Sequence, residues 1–236
     1  MKTALIIHGW PCYIENNHPL VELLKKEKFK ISAPKLFKKK YTKKSVLNQI
    51  NSSIKKQPEI IIGISLGGTF AQILAKKYPK SKLLLIATGP YLKPKAKILY
   101  DFARFFLLSD ILFLFIKFMP YMIIHPFYKI ILPIIGKNYS DYINDMKTNI
   151  LSMKKVKYSV YRNIIKYAFT INNEPMLSKI KNKTMIITGK KDIMMPPELS
   201  KLMHQKIKNS KLYEIDAQHH NLFNDKVIKK IKEFVI

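Results

Sequence analysis

The sequence predicts an α/β fold: a mostly parallel sheet of about six strands with helices on both faces and an inserted helical cap. Three observations carry that reading. Short apolar or β-branched runs alternate with amphipathic stretches over most of the chain. One of those runs, Ile60-Ile61-Ile62, passes through Gly63-Ile64-Ser65-Leu66-Gly67-Gly68 directly into a helical pattern. The alternation then stops between about Tyr91 and Ser178, where proline-punctuated helical patterns replace it.

Taken in order, the predicted strands are Thr3–Ile7, Phe29–Ala33, Glu59–Ile62, Lys82–Ala87, Thr184–Thr188 and Lys211–Ile215. Their apolar runs are nearly continuous, as in strands covered on both faces. The predicted helices of the core are Pro19–Lys26, Ser45–Lys56, Thr69–Tyr78, Pro197–Ile207 and Asn224–Phe234. In the last of these, Val227, Ile228, Ile231 and Phe234 recur at helical spacing with lysines between them. Between the fourth and fifth strands, helices are expected at Lys95–Leu108, Ile111–Met119, Tyr121–Leu132, Ser140–Ser152 and Tyr158–Tyr167. Ordinary connections in such folds are a few residues long. The chain therefore divides into a core, residues 1–90 and 179–236, and a helical cap, residues 91–178. The cap's aromatic and aliphatic residues can pack on the sheet domain, line the space above it, or do both.

At 236 residues the chain can bury one sizeable core, and 47% hydrophobic residues exclude a disordered protein. The net charge of +28 points naively to nucleic acid or an anionic surface. Only Arg104 and Arg162 among the 43 basic residues are arginines. Readers of bases and phosphates rely on arginine for bidentate contacts, so no nucleic-acid partner is expected. The lysines are spread along the chain as solvated faces, densest at Lys35, Lys38, Lys39, Lys40, Lys43 and Lys44. They also allow peripheral contact with an anionic membrane, and binding of such a surface without catalysis is the alternative reading. Cys12 is the only cysteine, so no intrachain disulfide forms and a reducing, cytoplasmic setting is expected. The Met1–Ile7 run is too short for a signal peptide. The segment from Phe105 to Ile135 is broken by Asp110, Lys117, Pro120 and Lys129, among others, which argues against a spanning helix.

The Gly63–Gly67 pentapeptide is a G-x-S-x-G at a strand-to-helix junction, the setting of a nucleophile elbow. A sharp turn there strains the serine backbone and leaves no room for side chains at Gly63 and Gly67, while Gly68 lets helix and strand pack closely. It exposes the Ser65 hydroxyl beside the free N–H groups of a helix N-terminus. A serine nucleophile needs a base, a group orienting that base, and donors for an oxyanion. Gln218-His219-His220-Asn221 follows the last strand and supplies His219 or His220 as base. Thr188-Gly189-Lys190-Lys191-Asp192 follows the fifth strand and supplies Asp192, with Asp216 as its competitor. His8-Gly9-Trp10-Pro11 follows the first strand. Gly9 allows close backbone approach, the N–H groups of Trp10 and Leu66 are the oxyanion donors, and His8 is read as a structural hydrogen-bonding residue.

The order Ser65, Asp192, His219, with HGW after the first strand and GISLGG at the elbow, resembles the α/β-hydrolase family over nearly the whole chain. The resemblance implies Ser65 as nucleophile, His219 as general base and acid, and Asp192 as orienter. It aligns the first strand here with the family's third, hence a shortened sheet. Ile64 stands where many members have histidine, and Gln218 where glycine often precedes the catalytic histidine, which keeps His220 in play. The expected activity is a serine hydrolase without metal or cofactor, acting on an ester or related acyl substrate with an apolar acyl or alkyl group. Thioesterase, carbon–carbon hydrolase and aminopeptidase activities occur on the same scaffold, and fold does not choose among them.

Overall fold

The computed structural model describes residues 2–11, 13–38, 41–92, 110–126, 150–192, 194–219 and 221–236. Its strands are β1 (Thr3–Ile7), β2 (Lys30–Ser32), β3 (Ile60–Ile64), β4 (Lys82–Ile86), β5 (Thr184–Gly189) and β6 (Ser210–Ile215). They form one sheet in the order β2-β1-β3-β4-β5-β6, and every pairing is parallel. The helices are α1 (Pro19–Lys26), α2 (Lys43–Ser53), α3 (Leu66–Lys77), α4 (Asp110–Phe118), α5 (Tyr158–Thr170), α6 (Pro197–Lys206) and α7 (Asp225–Val235).

Alternation along the strands sorts the core into two layers. Leu5, Ile7, Ile61, Leu83, Leu85 and Ile186 pack with residues of α2, α3, α5 and α6. Their neighbours Ala4, Ile6, Ile60, Ile62, Leu84 and Ile86 pack instead with residues of α1 and α7. Both sheet faces are thus covered, which is why the central strands β1, β3, β4 and β5 are apolar along most of their length rather than at alternate positions. The chain runs from β1 outward to β2, then returns to place β3 on the other side of β1. This reversal leaves a crevice at the carboxyl ends of β1 and β3, the place where parallel sheets form sites. In the register, Ile7 pairs with Gly63 and Gly63 with Leu85, so those ends lie side by side.

Helix starts follow their caps. Thr42 accepts the Ser45 N–H, so α2 begins at Lys43, before the Ser45 start expected from the apolar pattern. Asn224 accepts the Val227 N–H and starts α7. His18 accepts the Leu20 N–H ahead of Pro19 in α1. The largest displacement is at α3, which starts at Leu66 rather than Thr69. Leu66 as first residue of the nucleophile helix follows from the elbow motif, and the packing described below accommodates Gly67 and Gly68 in its first turn.

Between β4 and β5 the described elements are helices and one 3-10 turn, with α4 and α5 close to their expected positions. The expected Tyr121–Leu132 and Ser140–Ser152 helices are described only at 121–126 and 150–155, both helical, and Lys95–Leu108 lies outside the described residues. Inner residues of this region, among them Phe113, Val160, Tyr161, Ile164 and Tyr167, belong to the same core layer as α3. Short 3-10 turns at Leu36–Lys38 and Glu174–Lys179 have no periodic signature and were not expected. Among the described residues no helix is long and apolar enough to cross a membrane.

Ile61 is fully buried in the middle of β3. Ile61→Ala is expected to cost about 2–5 kcal/mol of folding free energy, measured by urea denaturation.

Candidate active site

The site is built on the turn between β3 and α3. Ser65 has φ 50° and ψ −126°, a strained conformation that costs a non-glycine residue roughly 1–3 kcal/mol. Close packing on every side holds it there. A Cβ on Gly63 would lie 2.5 Å from both the Ala71 Cβ and the Gly68 Cα. One on Gly67 would strike the carbonyl oxygens of Ile7 and His8 at the end of β1. The Ser65 N–H donates to the Ile86 carbonyl of β4 at 2.9 Å, and the Ser65 carbonyl accepts the Gly68 N–H at 2.9 Å.

Serine at a helix N-cap ordinarily turns its hydroxyl back onto the helix. Ser65 makes no such capping bond. Its Oγ lies instead 2.9 Å from His219 Nε2. His219 Nδ1 in turn lies 2.6 Å from Asp192 Oδ2. The other Asp192 oxygen accepts the N–H groups of Met194 and Met195 at 2.9 and 2.8 Å. With its carboxyl accepting three hydrogen bonds and only 1% of its surface exposed, Asp192 is fixed in place.

Asp192 and His219 meet because the loops after β5 and β6 are tied together. The N–H groups of Lys190 and Lys191 donate to the Ile215 and Ala217 carbonyls at 2.8 and 3.1 Å. Gly189 lies where a side chain would strike the Ala217 carbonyl, so the two loops run in backbone contact. Asp216 points elsewhere, to an exposed ion pair with Lys191 at 2.9 Å. His220 and Cys12 lie outside the described residues.

The loop after β1 covers the other side of Ser65. A Cβ on Gly9 would lie 2.9 Å from the Ser65 Cβ, so this backbone touches the serine directly. His8 is buried between Tyr13 and Phe37, edge-on at 5.0 and 4.7 Å. Its Nδ1 donates to the Gly9 carbonyl at 2.7 Å and its Nε2 accepts the Leu36 N–H at 3.2 Å. Both ring nitrogens are thereby used to hold the loop. The Trp10 ring packs 6.1 Å from Tyr161 of α5, and its indole nitrogen is buried without a partner among the described residues. Leu66 opens α3, so its N–H has no acceptor within the helix.

Sequence reasoning missed a buried polar girdle behind the elbow. Asn173 donates to the Thr69 carbonyl and to Gln72 Oε1 at 2.8 and 3.1 Å. Gln72 donates to the Gly89 carbonyl at 3.0 Å, and Thr69 Oγ1 lies 2.9 Å from the Tyr167 hydroxyl. Burial raises the Tyr167 hydroxyl pKa well above its usual value, so it remains a neutral hydrogen-bonding group. The available signal was the pair Thr69 and Gln72 inside an otherwise apolar stretch of α3.

Among the described residues no group of three or more His, Cys, Asp or Glu side chains is placed to hold a metal ion. The fold and this arrangement define the chain as an α/β-hydrolase, an enzyme of the hydrolase class. More particularly, residues 43–227 match the profile of the serine aminopeptidase S33 family, and the chain belongs to that family. A proline iminopeptidase, PfmaB, of Pestalotiopsis fici is 37% identical over 59 residues, covering 24% of this chain and 21% of that protein. An esterase from Exiguobacterium antarcticum superposes with a TM-score of 0.72 at 18% identity, over 100% of this chain and 92% of that one. The enol-lactonase from Burkholderia xenovorans superposes at 0.71 and 14% identity, over 99% and 91% of the two chains. These two likenesses are likenesses of fold.

Gly67→Ala should destabilise the protein by about 1–3 kcal/mol or more, because the new methyl meets backbone carbonyls that cannot yield. Chemical denaturation followed by circular dichroism measures the loss.

Proposed function

We propose that Ser65, His219 and Asp192 act as nucleophile, base and orienting carboxylate in the hydrolysis of carboxylic esters carrying uncharged, apolar groups. The observation that carries this reading is the two-link chain from Ser65 Oγ through the His219 ring to Asp192, at 2.9 and 2.6 Å. Ser65 Oγ attacks the ester carbonyl as its proton passes to His219 Nε2. Asp192 keeps the other ring proton on Nδ1, which leaves Nε2 free to accept, and stabilises the imidazolium that forms. The oxyanion develops beside the N–H groups of Trp10 and Leu66, at the positive end of α3, where such donors are each worth about 10²–10³ in rate. Nε2 then protonates the leaving alkoxide, and water releases the acyl group by the same steps in reverse.

Esters are favoured over aminoacyl substrates by what lines the approach. A substrate with a free α-ammonium group needs a carboxylate to receive it. Among the described residues between β4 and β5 the acidic ones are Asp110, at the first position of α4, and Glu174, which is engaged with Lys206 at 3.2 Å. Trp10, which follows the Gly9 that touches Ser65, leads into an aromatic run through Tyr161 to Phe113, with the last two rings 4.7 Å apart. The aminopeptidase in the family's name and the iminopeptidase relative describe those proteins. For this chain, the aromatic side chains packed from Trp10 to Phe113 support an apolar acyl group.

Turnover of p-nitrophenyl esters of increasing chain length tests the proposal beside proline p-nitroanilide. Esters should be hydrolysed faster, with medium chains ahead of acetate. Ser65→Ala and His219→Ala should each lower turnover by at least about 10⁴-fold, and Asp192→Asn by about 10⁴-fold. His220→Ala should be far milder. Faster cleavage of the anilide, or His220→Ala as the more damaging histidine change, contradicts the assignment.

A further inference from the structure

We propose that the outer face of the helical segment 110–126 docks on an anionic lipid bilayer. The exposed large hydrophobic side chains are concentrated here. Phe118 is 72% exposed, Met122 83%, and Leu114 and Ile123 47% each, with Leu151 and Tyr158 beside them in sequence order on the next helices. Elsewhere among the described residues only Met194 and Ile236 are comparable. Leu114 and Phe118 lie one turn apart on the same stripe of α4, and Met122 continues beyond the Pro120 break.

These side chains are surplus to packing. Phe113 of α4 already fills the core layer below, and Phe115, Met119 and Tyr121 pack around Ile124 and Ile150. The platform is also braced. Lys117 Nζ donates to the Lys154 and Val156 carbonyls at 2.5 and 3.3 Å, while Lys154 Nζ donates to the Met119 carbonyl at 2.6 Å. Each lysine thus closes the carboxyl end of the opposite helix, where a cation is favoured.

Charge selects the occupant. Residues 110–126 and 150–173 carry Lys117, Lys154, Lys155, Lys157, Arg162 and Lys166 against one acidic residue, Asp110. Apolar side chains that insert and lysines that meet anionic headgroups together give the two signals that stable peripheral attachment needs. A second copy is disfavoured, because two chains of +28 would bring like-charged rims together. Nucleic acid offers nothing to an exposed Leu-Phe-Met stripe. Docking this face also places the bilayer one helix from the site, since Phe113 on the inner side of α4 packs at a tilt against Tyr161, the neighbour of Trp10.

Cosedimentation of the full chain with vesicles tests the proposal, using equimolar phosphatidylglycerol and phosphatidylcholine against pure phosphatidylcholine, at low and moderate salt. The wild type should bind the anionic vesicles at least about ten-fold more tightly, with an affinity that falls as salt rises. Phe118→Ser with Met122→Ser should weaken binding by about ten-fold or more, and Lys155→Glu with Lys166→Glu by a similar factor. All four positions are exposed, so circular dichroism and hydrolysis of a soluble ester should be unchanged in both variants. Ser65→Ala should bind vesicles as the wild type does, which separates docking from turnover. The proposal is overturned if the wild type ignores anionic vesicles or if the serine double variant binds as tightly as the wild type. A lipid-free dimer in analytical ultracentrifugation that this variant dissociates would assign the face to a second copy instead.

Discussion

The first turn of α3 meets the ends of β1 and β3 at backbone contact, and the geometry around Ser65 depends on that approach. Gly67 against the carbonyls of Ile7 and His8, and Gly63 against Gly68 and Ala71, leave no slack for the serine backbone to relax. Strain at Ser65 is affordable only because the surrounding core over-determines it. The parallel register that sets Gly63 between Ile7 and Leu85 is itself fixed by two fully covered sheet faces. Packing therefore reaches the chemistry through the backbone, before any polar side chain is considered.

The polar part of the site is positioned by loops that are themselves hydrogen-bonded. Lys190 and Lys191 contribute through their N–H groups, not their charges, by stitching the β5 loop to the β6 loop. Met194 and Met195 contribute in the same way, by anchoring Asp192. His8 uses both nitrogens to fasten its own loop. One histidine is consumed by structure while another, His219, is left spanning Ser65 and Asp192, and the difference lies wholly in their partners.

Much of this was legible in the sequence for identifiable reasons. The central strands could be located because buried parallel strands are apolar at nearly every position, as in Ile60-Ile61-Ile62, while the edge strands β2 and β6 carry polar residues between apolar ones. Ser65, Asp192 and His219 could be singled out because each follows an apolar run at the end where parallel sheets form sites. The start of α3 at Leu66 was legible from the elbow motif and not from periodicity, since the apolar pattern begins only at Thr69. The choice between adjacent imidazoles was not legible. The placement of His219 depends on a turn tied by the Lys191 N–H to Ala217, a backbone bond with no side-chain signature, and His220 lies outside the described residues. The Thr69–Gln72–Asn173 girdle joins residues about a hundred positions apart, and no local pattern announces such a contact.

The central claim is that Ser65 forms a covalent bond with the acyl group. Reaction with a fluorophosphonate, followed by intact mass measurement and peptide mapping, tests it most directly. The account predicts a single adduct per chain, on the peptide that contains Ser65, blocked by prior incubation with an ester substrate. An adduct on another residue, or none on a protein that hydrolyses esters, would contradict it.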